Sequence, residues 1–66
     1  MNLNYQVTAN VENKGFVLSQ DFKTNDESEA VNHYNKLVEY YELAAIKLIV
    51  LYRWNGETYL QIKLAL

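Results

Sequence analysis

His33 is the single histidine, and Glu29 stands four residues before it in "ESEAVNH". On a helix that spacing puts an imidazole and a carboxylate on one side, within reach of one cation. A structural zinc site takes four protein ligands, and a catalytic one takes three plus water. With no cysteine and no second histidine the set stops at two, so no metal and no other cofactor is expected. Ser19 and Ser28 are nucleophiles by type alone, because a working nucleophile needs an adjacent base and a third group to orient that base. Ser28 suits a local hydrogen-bonding place in a first helical turn. Asp26, Glu27 and Glu29 are close in the chain, but carboxylates do acid–base work only where an apolar cleft separates their pKa values. At a helix start, grouped carboxylates answer the positive end of the dipole. Gly15 and Gly56 fall in turns, and neither a GxGxxG nor a GxxxxGK pattern is present. No catalytic residue is assigned, and the chain is expected not to be an enzyme.

The residues that do form a pattern are those suited to binding. In "AAIKLIVLYRWNGETYLQIKLAL", residues 44–66, positions that alternate across a strand are apolar on both sides. Leu48, Val50, Tyr52, Trp54 and Tyr59 share one of those sides, with Gln61 and Lys63. Trp and Tyr suit an interface because each hides a large area and keeps a polar handle.

The elements that must carry these residues follow from periodicity. "MNLNYQVTANVE" alternates throughout, with Met1, Leu3, Tyr5, Val7, Ala9 and Val11 on one side and Asn, Gln, Thr and Glu on the other. Period two over this length predicts a half-buried strand. "ENKG" reads as a four-residue hairpin loop with Gly15 left-handed, and "FVLSQDF" as the returning strand. That loop sets Val11 against Phe16, Ala9 against Leu18 and Tyr5 against Phe22. In "TNDE", Thr24 and Glu27 form a capping box. Ala30, Val31, Tyr34, Leu37, Val38 and Tyr41 then recur at helical spacing, which predicts a helix over about Asn25 to Glu42. His33, Lys36 and Tyr40 share one flank of it and form a second candidate surface. Asn55-Gly56 predicts a two-residue type I′ turn, which pairs Arg53 with Thr58, Tyr52 with Tyr59, Leu51 with Leu60 and Ile49 with Ile62.

The order is ββαββ, an α+β fold with a four-stranded sheet and one helix packed on one face, in a single domain over residues 1–66. Helix and strands match in length, at about 25 Å. With a right-handed crossover, one arrangement puts the first and last strands parallel in the middle of the sheet. That order resembles the β-grasp folds, including the small immunoglobulin-binding domains of bacterial surface proteins. The resemblance is architectural and carries no function. A simple meander with the helix on one side is the other arrangement.

Composition narrows the function classes. A chain of 66 residues buries only about 60% of the surface its unfolded form exposes, so a lone core is marginal. Disulfides, metal or self-association are the usual remedies, and the absence of cysteine leaves the third. Net charge is −2 and the pI is about 5.2, which argues against nucleic acid or an anionic membrane as main partner. Leu43 to Tyr52 is the longest apolar stretch, and Lys47 interrupts it well short of a membrane span. Without a basic and then apolar leader, the chain is expected to be soluble and cytoplasmic. Eight asparagines, with frequent Tyr, Lys and Ile, suit an AT-rich genome such as that of a low-GC bacterium or its phage.

One helix cannot cover both sides of a sheet. The outer side of the second hairpin would leave an apolar patch of roughly 300–600 Å², a size that is often functional. The expectation is therefore a small regulator or inhibitor that acts by protein binding, most simply as a homodimer that buries this face. The alternative is a nucleic-acid-binding sheet with Tyr52, Trp54 and Tyr59 as a stacking platform.

Overall fold

The computed structural model describes residues 3–66; Met1 and Asn2, the first pair of the alternating run, lie outside the described residues. Two hairpins flank a helix: β1 Tyr5–Asn13, β2 Phe16–Thr24, α1 Glu27–Tyr40, β3 Ile46–Trp54 and β4 Tyr59–Ala65. The four strands form one sheet in the order β2-β1-β3-β4, and every neighbouring pair is antiparallel. The ββαββ α+β fold is as expected. The β-grasp-like order is not formed: the central pair is β1 with β3, antiparallel, rather than the two terminal strands in parallel. The two central strands, β1 and β3, supply Val7, Ala9, Val11, Ile49 and Leu51, all buried.

The first hairpin turns more tightly than expected. Lys14 and Gly15 both take positive φ, at 50° and 84°, the pair of left-handed residues that a type I′ turn requires. Asn13 therefore faces Phe16, and Val11 faces Leu18 rather than Phe16. The slip is two residues, so each side chain keeps its face. Its cost falls on Phe16, which moves beyond the helix and stays 53% exposed.

The helix is capped by Asp26, not Thr24. Asp26 Oδ1 accepts from the Glu29 backbone N–H at 3.2 Å, with Glu27 and Glu29 in the first turn. Thr24 serves one step earlier, its Oγ1 accepting from the Asp26 N–H at 3.1 Å. The helix therefore starts two residues later than predicted, and it ends at Tyr40, two residues earlier. Its expected stripe is the one that packs. Ala30 and Tyr34 are buried against Val7, Ala9, Ile49 and Leu51, with Val31, Leu37, Val38 and Tyr41 around them. Ala9 and Ala30 are both fully buried, small residues on the strand and helix that meet in this core. The helix lies over β1 and β3, reaches β2, and leaves β4 largely outside its footprint.

The second hairpin departs most from expectation. Asn55 to Thr58 form a four-residue loop rather than a two-residue turn, so Trp54 faces Tyr59. Asn55 Oδ1 accepts from the Glu57 and Thr58 N–H groups at 2.8 and 2.9 Å, while Asn55 N–H donates to the Thr58 carbonyl at 3.0 Å. This side-chain turn outcompetes the tighter backbone one. A β-bulge then shifts the register between Leu51 and Tyr52: Tyr52 pairs with Gln61 but Leu51 pairs with Lys63, so Ile62 has no partner. One extra residue flips every later side chain to the other face. Leu64, which the expected Leu51–Leu60 and Ile49–Ile62 pairs would put on the side of Ile49, instead lies opposite Val50 on the outer face. Leu60 faces Arg53, and of β4 only Ala65 packs against the core.

Replacing Asp26 with Ala is expected to remove about 1 kcal/mol of stability by freeing the first-turn N–H groups. Urea unfolding would show this as a lower midpoint at unchanged slope.

Candidate functional site

The register arranges the outer face of the sheet in cross-strand rows. From the open end these are Val17–Glu12–Ile46, then Ser19–Asn10–Leu48, then Asp21–Thr8–Val50–Leu64, then Lys23–Gln6–Tyr52–Gln61. Apart from the exposed Val17, the β2/β1 half is polar and tied to itself, Gln6 donating to Asp21 at 2.8 Å and Ser19 to Asn10 at 3.2 Å. The β3/β4 half is apolar.

Leu48, Val50, Tyr52, Trp54 and Tyr59 do share that outer half, but they are covered to different degrees. Val50 is only 3% exposed, although no layer lies above it. It sits on a central strand with Thr8 on one side and Leu64 on the other, and lateral neighbours alone close over so short a side chain. Tyr52, Trp54 and Tyr59 are half-buried against one another. Tyr59 meets Trp54 edge-to-face at 5.1 Å and Tyr52 at 6.5 Å, geometries favoured by the ring quadrupole. Its hydroxyl donates to the Leu3 carbonyl at 2.7 Å, and the Lys23 ammonium lies 5.6 Å from its ring. The ring thus spans from β4 to the lead-in of β1, and the turn end of the face covers itself. The bare surface is at the open end: Leu48 at 39% exposure, joined by Ile46, Leu64 and Leu66. Ile46 was readable as an apolar strand start. Leu64 was hidden by the bulge, which no residue signal announces.

The His33, Lys36 and Tyr40 flank is divided. The His33 ring packs on Phe22 at 4.3 Å, and its Nε2 is buried without a hydrogen-bond partner. His33 and Lys36 line a shallow cleft with Asp26, Glu29 and Asn32. Tyr40, 80% exposed, turns instead to Tyr41 at 4.8 Å and to a second depression with Asn13 and Phe16. Phe22 on the sheet edge draws the histidine inward through ring contact.

The grouped acids have structural work. Asp26 caps the helix, and Glu27 Oε2 accepts from the Tyr5 hydroxyl at 2.8 Å. That hydrogen bond raises the Tyr5 pKa above its ordinary 10.0, helped by partial desolvation and the Glu27 charge and opposed by Arg53. Burial raises Tyr34 likewise. Among the described residues, no helix is long and apolar enough to cross a membrane. Compared with protein-family models, with curated proteins and with solved structures, the chain matches none of them.

Two outcomes follow from this geometry. Tyr5 and Tyr34 hold their protons more tightly folded than unfolded, so stability is whole below pH 10 and declines as pH rises through the folded-state pKa values. The thermal midpoint is expected to fall above about pH 10, and less steeply in Tyr5→Phe. Val50→Lys is expected to cost about 1–3 kcal/mol of stability, because the longer stem must push past Thr8 and Leu64 to carry its ammonium to the open face. A lower urea midpoint would register it. An outer position alone predicts a tolerated lysine there; lateral burial gives it a cost.

Proposed function

We propose that the protein is a non-enzymatic interaction module that pairs with a second copy of itself through the apolar outer side of its C-terminal hairpin. The observation that supports this reading is the group Ile46, Leu48, Leu64 and Leu66. These side chains are 62, 39, 43 and 79% exposed around the buried Val50. Together they amount to roughly 400 Å² of apolar surface, within the range at which a patch on a monomer is commonly functional. A second copy is the simplest cover. A 66-residue chain without cysteine has a small core, and a two-fold contact adds apolar burial while closing on itself. A regulatory or inhibitory role would then be exercised by occupancy of this surface rather than by chemistry.

The half-buried aromatic cluster serves this reading better than base stacking. Its rings stand edge-to-face, whereas a stacking platform offers open ring faces. Arg53 and Lys63 pair with residues of the helix side, and Lys23 is the cation near the rings.

Size-exclusion chromatography with light scattering is expected to give twice the 7.7 kDa chain mass, unchanged in high salt. Leu64→Lys is expected to run at the single-chain mass with its circular dichroism intact. A wild-type monomer at high concentration would overturn the reading. Single-stranded RNA or DNA binding that weakens steeply with salt would favour the stacking sheet.

A further inference from the structure

On the helix side of the C-terminal hairpin, beyond the reach of the helix, lies a depression of about 330 Å³ lined by Arg53, Asn55, Leu60 and Ile62. That volume is at the small end of ligand sites, which run from roughly 300 to 1,000 Å³. The irregularities of the hairpin shape it. Leu60 lies opposite Arg53, and the bulge leaves Ile62 without a strand partner, so that it lines the same hollow as Leu60. The helix leaves β4 largely outside its footprint, and Leu60 and Ile62 are each 50% exposed. Along the hairpin from its turn come Asn55, then Arg53 facing Leu60, then Ile62. The donors therefore stand toward the turn, and the hydrocarbon runs away from it.

Both donors are free to take a ligand. Arg53 lies opposite Tyr5 of β1, but the Tyr5 hydroxyl donates to Glu27 Oε2 at 2.8 Å, and among the described residues no carboxylate is paired with the guanidinium. A guanidinium presents a planar fork of N–H groups that matches the two oxygens of a carboxylate. Asn55 Oδ1 is taken by the Glu57 and Thr58 N–H groups, so the two hydrogens on Nδ2 are its remaining donors. Lys63 lines no part of the hollow, its ammonium lying 6.0 Å from the Tyr34 ring.

Donors at one end and hydrocarbon at the other select an amphiphile, and the surrounding charge selects its valence. Glu57 is two residues from Asn55, and Glu27 shares the Tyr5 neighbourhood of Arg53. Against two acids, one guanidinium balances a monoanion better than a dianion such as a phosphate monoester. A peptide terminus brings amides as well, which the side chains of Leu60 and Ile62 cannot pair. We propose that this depression binds a short straight-chain fatty acid, with its carboxylate on Arg53 and Asn55 and its chain along Leu60 and Ile62. The site is on the opposite face from Leu48 and Leu64, so it stands or falls separately from self-association.

Octanoate titrated into the isotope-labelled wild-type chain at neutral pH, followed by backbone amide shifts, tests this. The amides of Arg53, Asn55, Leu60 and Ile62 are expected to shift together and to saturate. Octanol, which lacks the charge, and acetate, which lacks the chain, are each expected to bind at least about tenfold more weakly. Arg53→Gln is expected to weaken octanoate binding at least about tenfold with circular dichroism unchanged, because Arg53 is exposed. The comparison of ligands on the wild-type chain decides the question even if that variant fails to fold. No saturable shift at these four residues would overturn the site, as would octanol binding as tightly as octanoate or a folded Arg53→Gln that binds undiminished. Shifts centred on Leu48 and Leu64 would place the affinity on the outer face and overturn it equally. A tetrapeptide with a free C-terminal leucine carboxylate that binds more tightly than octanoate would overturn the fatty acid as the ligand.

Discussion

Val7 lies opposite Leu51 and Ala9 opposite Ile49, and these four side chains, all at most 1% exposed, form the floor on which the helix rests. The pairing of β1 with β3 makes that floor contiguous. Were the two strands separated in the sheet, the apolar positions of each would be interrupted by Gln20 of β2 or Lys63 of β4. The helix settles over the one pair that offers an unbroken apolar strip, and Ala9 beneath it allows close approach. Everything else about the molecule follows from where that single helix can and cannot reach.

It reaches β2, where Phe22 and Leu18 are partly sheltered, and it stops short of β4. The consequence is an asymmetric sheet: β2 keeps Leu18, Phe22 and Thr24 partly or fully covered, while Leu60, Ile62 and Leu64 of β4 are bare. On the outer face the same asymmetry is handled by local devices. Tyr59 swings across the turn end, anchored by its hydroxyl on the Leu3 carbonyl, and Val50 is closed over by Thr8 and Leu64. Such lateral cover works for a short side chain in a central strand and for rings that can lie flat along the sheet. It fails at the open end, where Ile46, Leu48 and Leu66 have fewer neighbours to lie against.

The loop and the bulge of the second hairpin show how a small local competition redirects a surface. Asn55 has a choice between a two-residue backbone turn and a side-chain turn that captures two N–H groups, and it takes the second. The loop lengthens by two residues and preserves the faces. The bulge adds one more and exchanges them, so Leu64 leaves the core side and joins the bare side. A core that loses Leu64 and Ile62 to solvent is smaller than the apolar content of β4 suggests, and the uncovered surface is correspondingly larger.

The periodicities alone determined the elements and their order: period two in residues 3–12, helical spacing from Ala30 to Tyr41, and turn residues at Gly15 and Gly56. They also determined which side of β1 and of the helix is apolar, because a slip of two residues in the first hairpin leaves every face unchanged. That the C-terminal hairpin is apolar on both sides was equally readable from residue types. Only the tertiary structure decided the strand order, the cap at Asp26, the inward turn of His33 onto Phe22, and which of the C-terminal residues stay bare. Those outcomes depend on comparisons between distant parts of the chain, such as one edge against another, a ring against a neighbouring strand, or a bulge against a register. Local patterns carry no information about them, because a side chain's exposure is set by what folds against it rather than by its own place in the repeat.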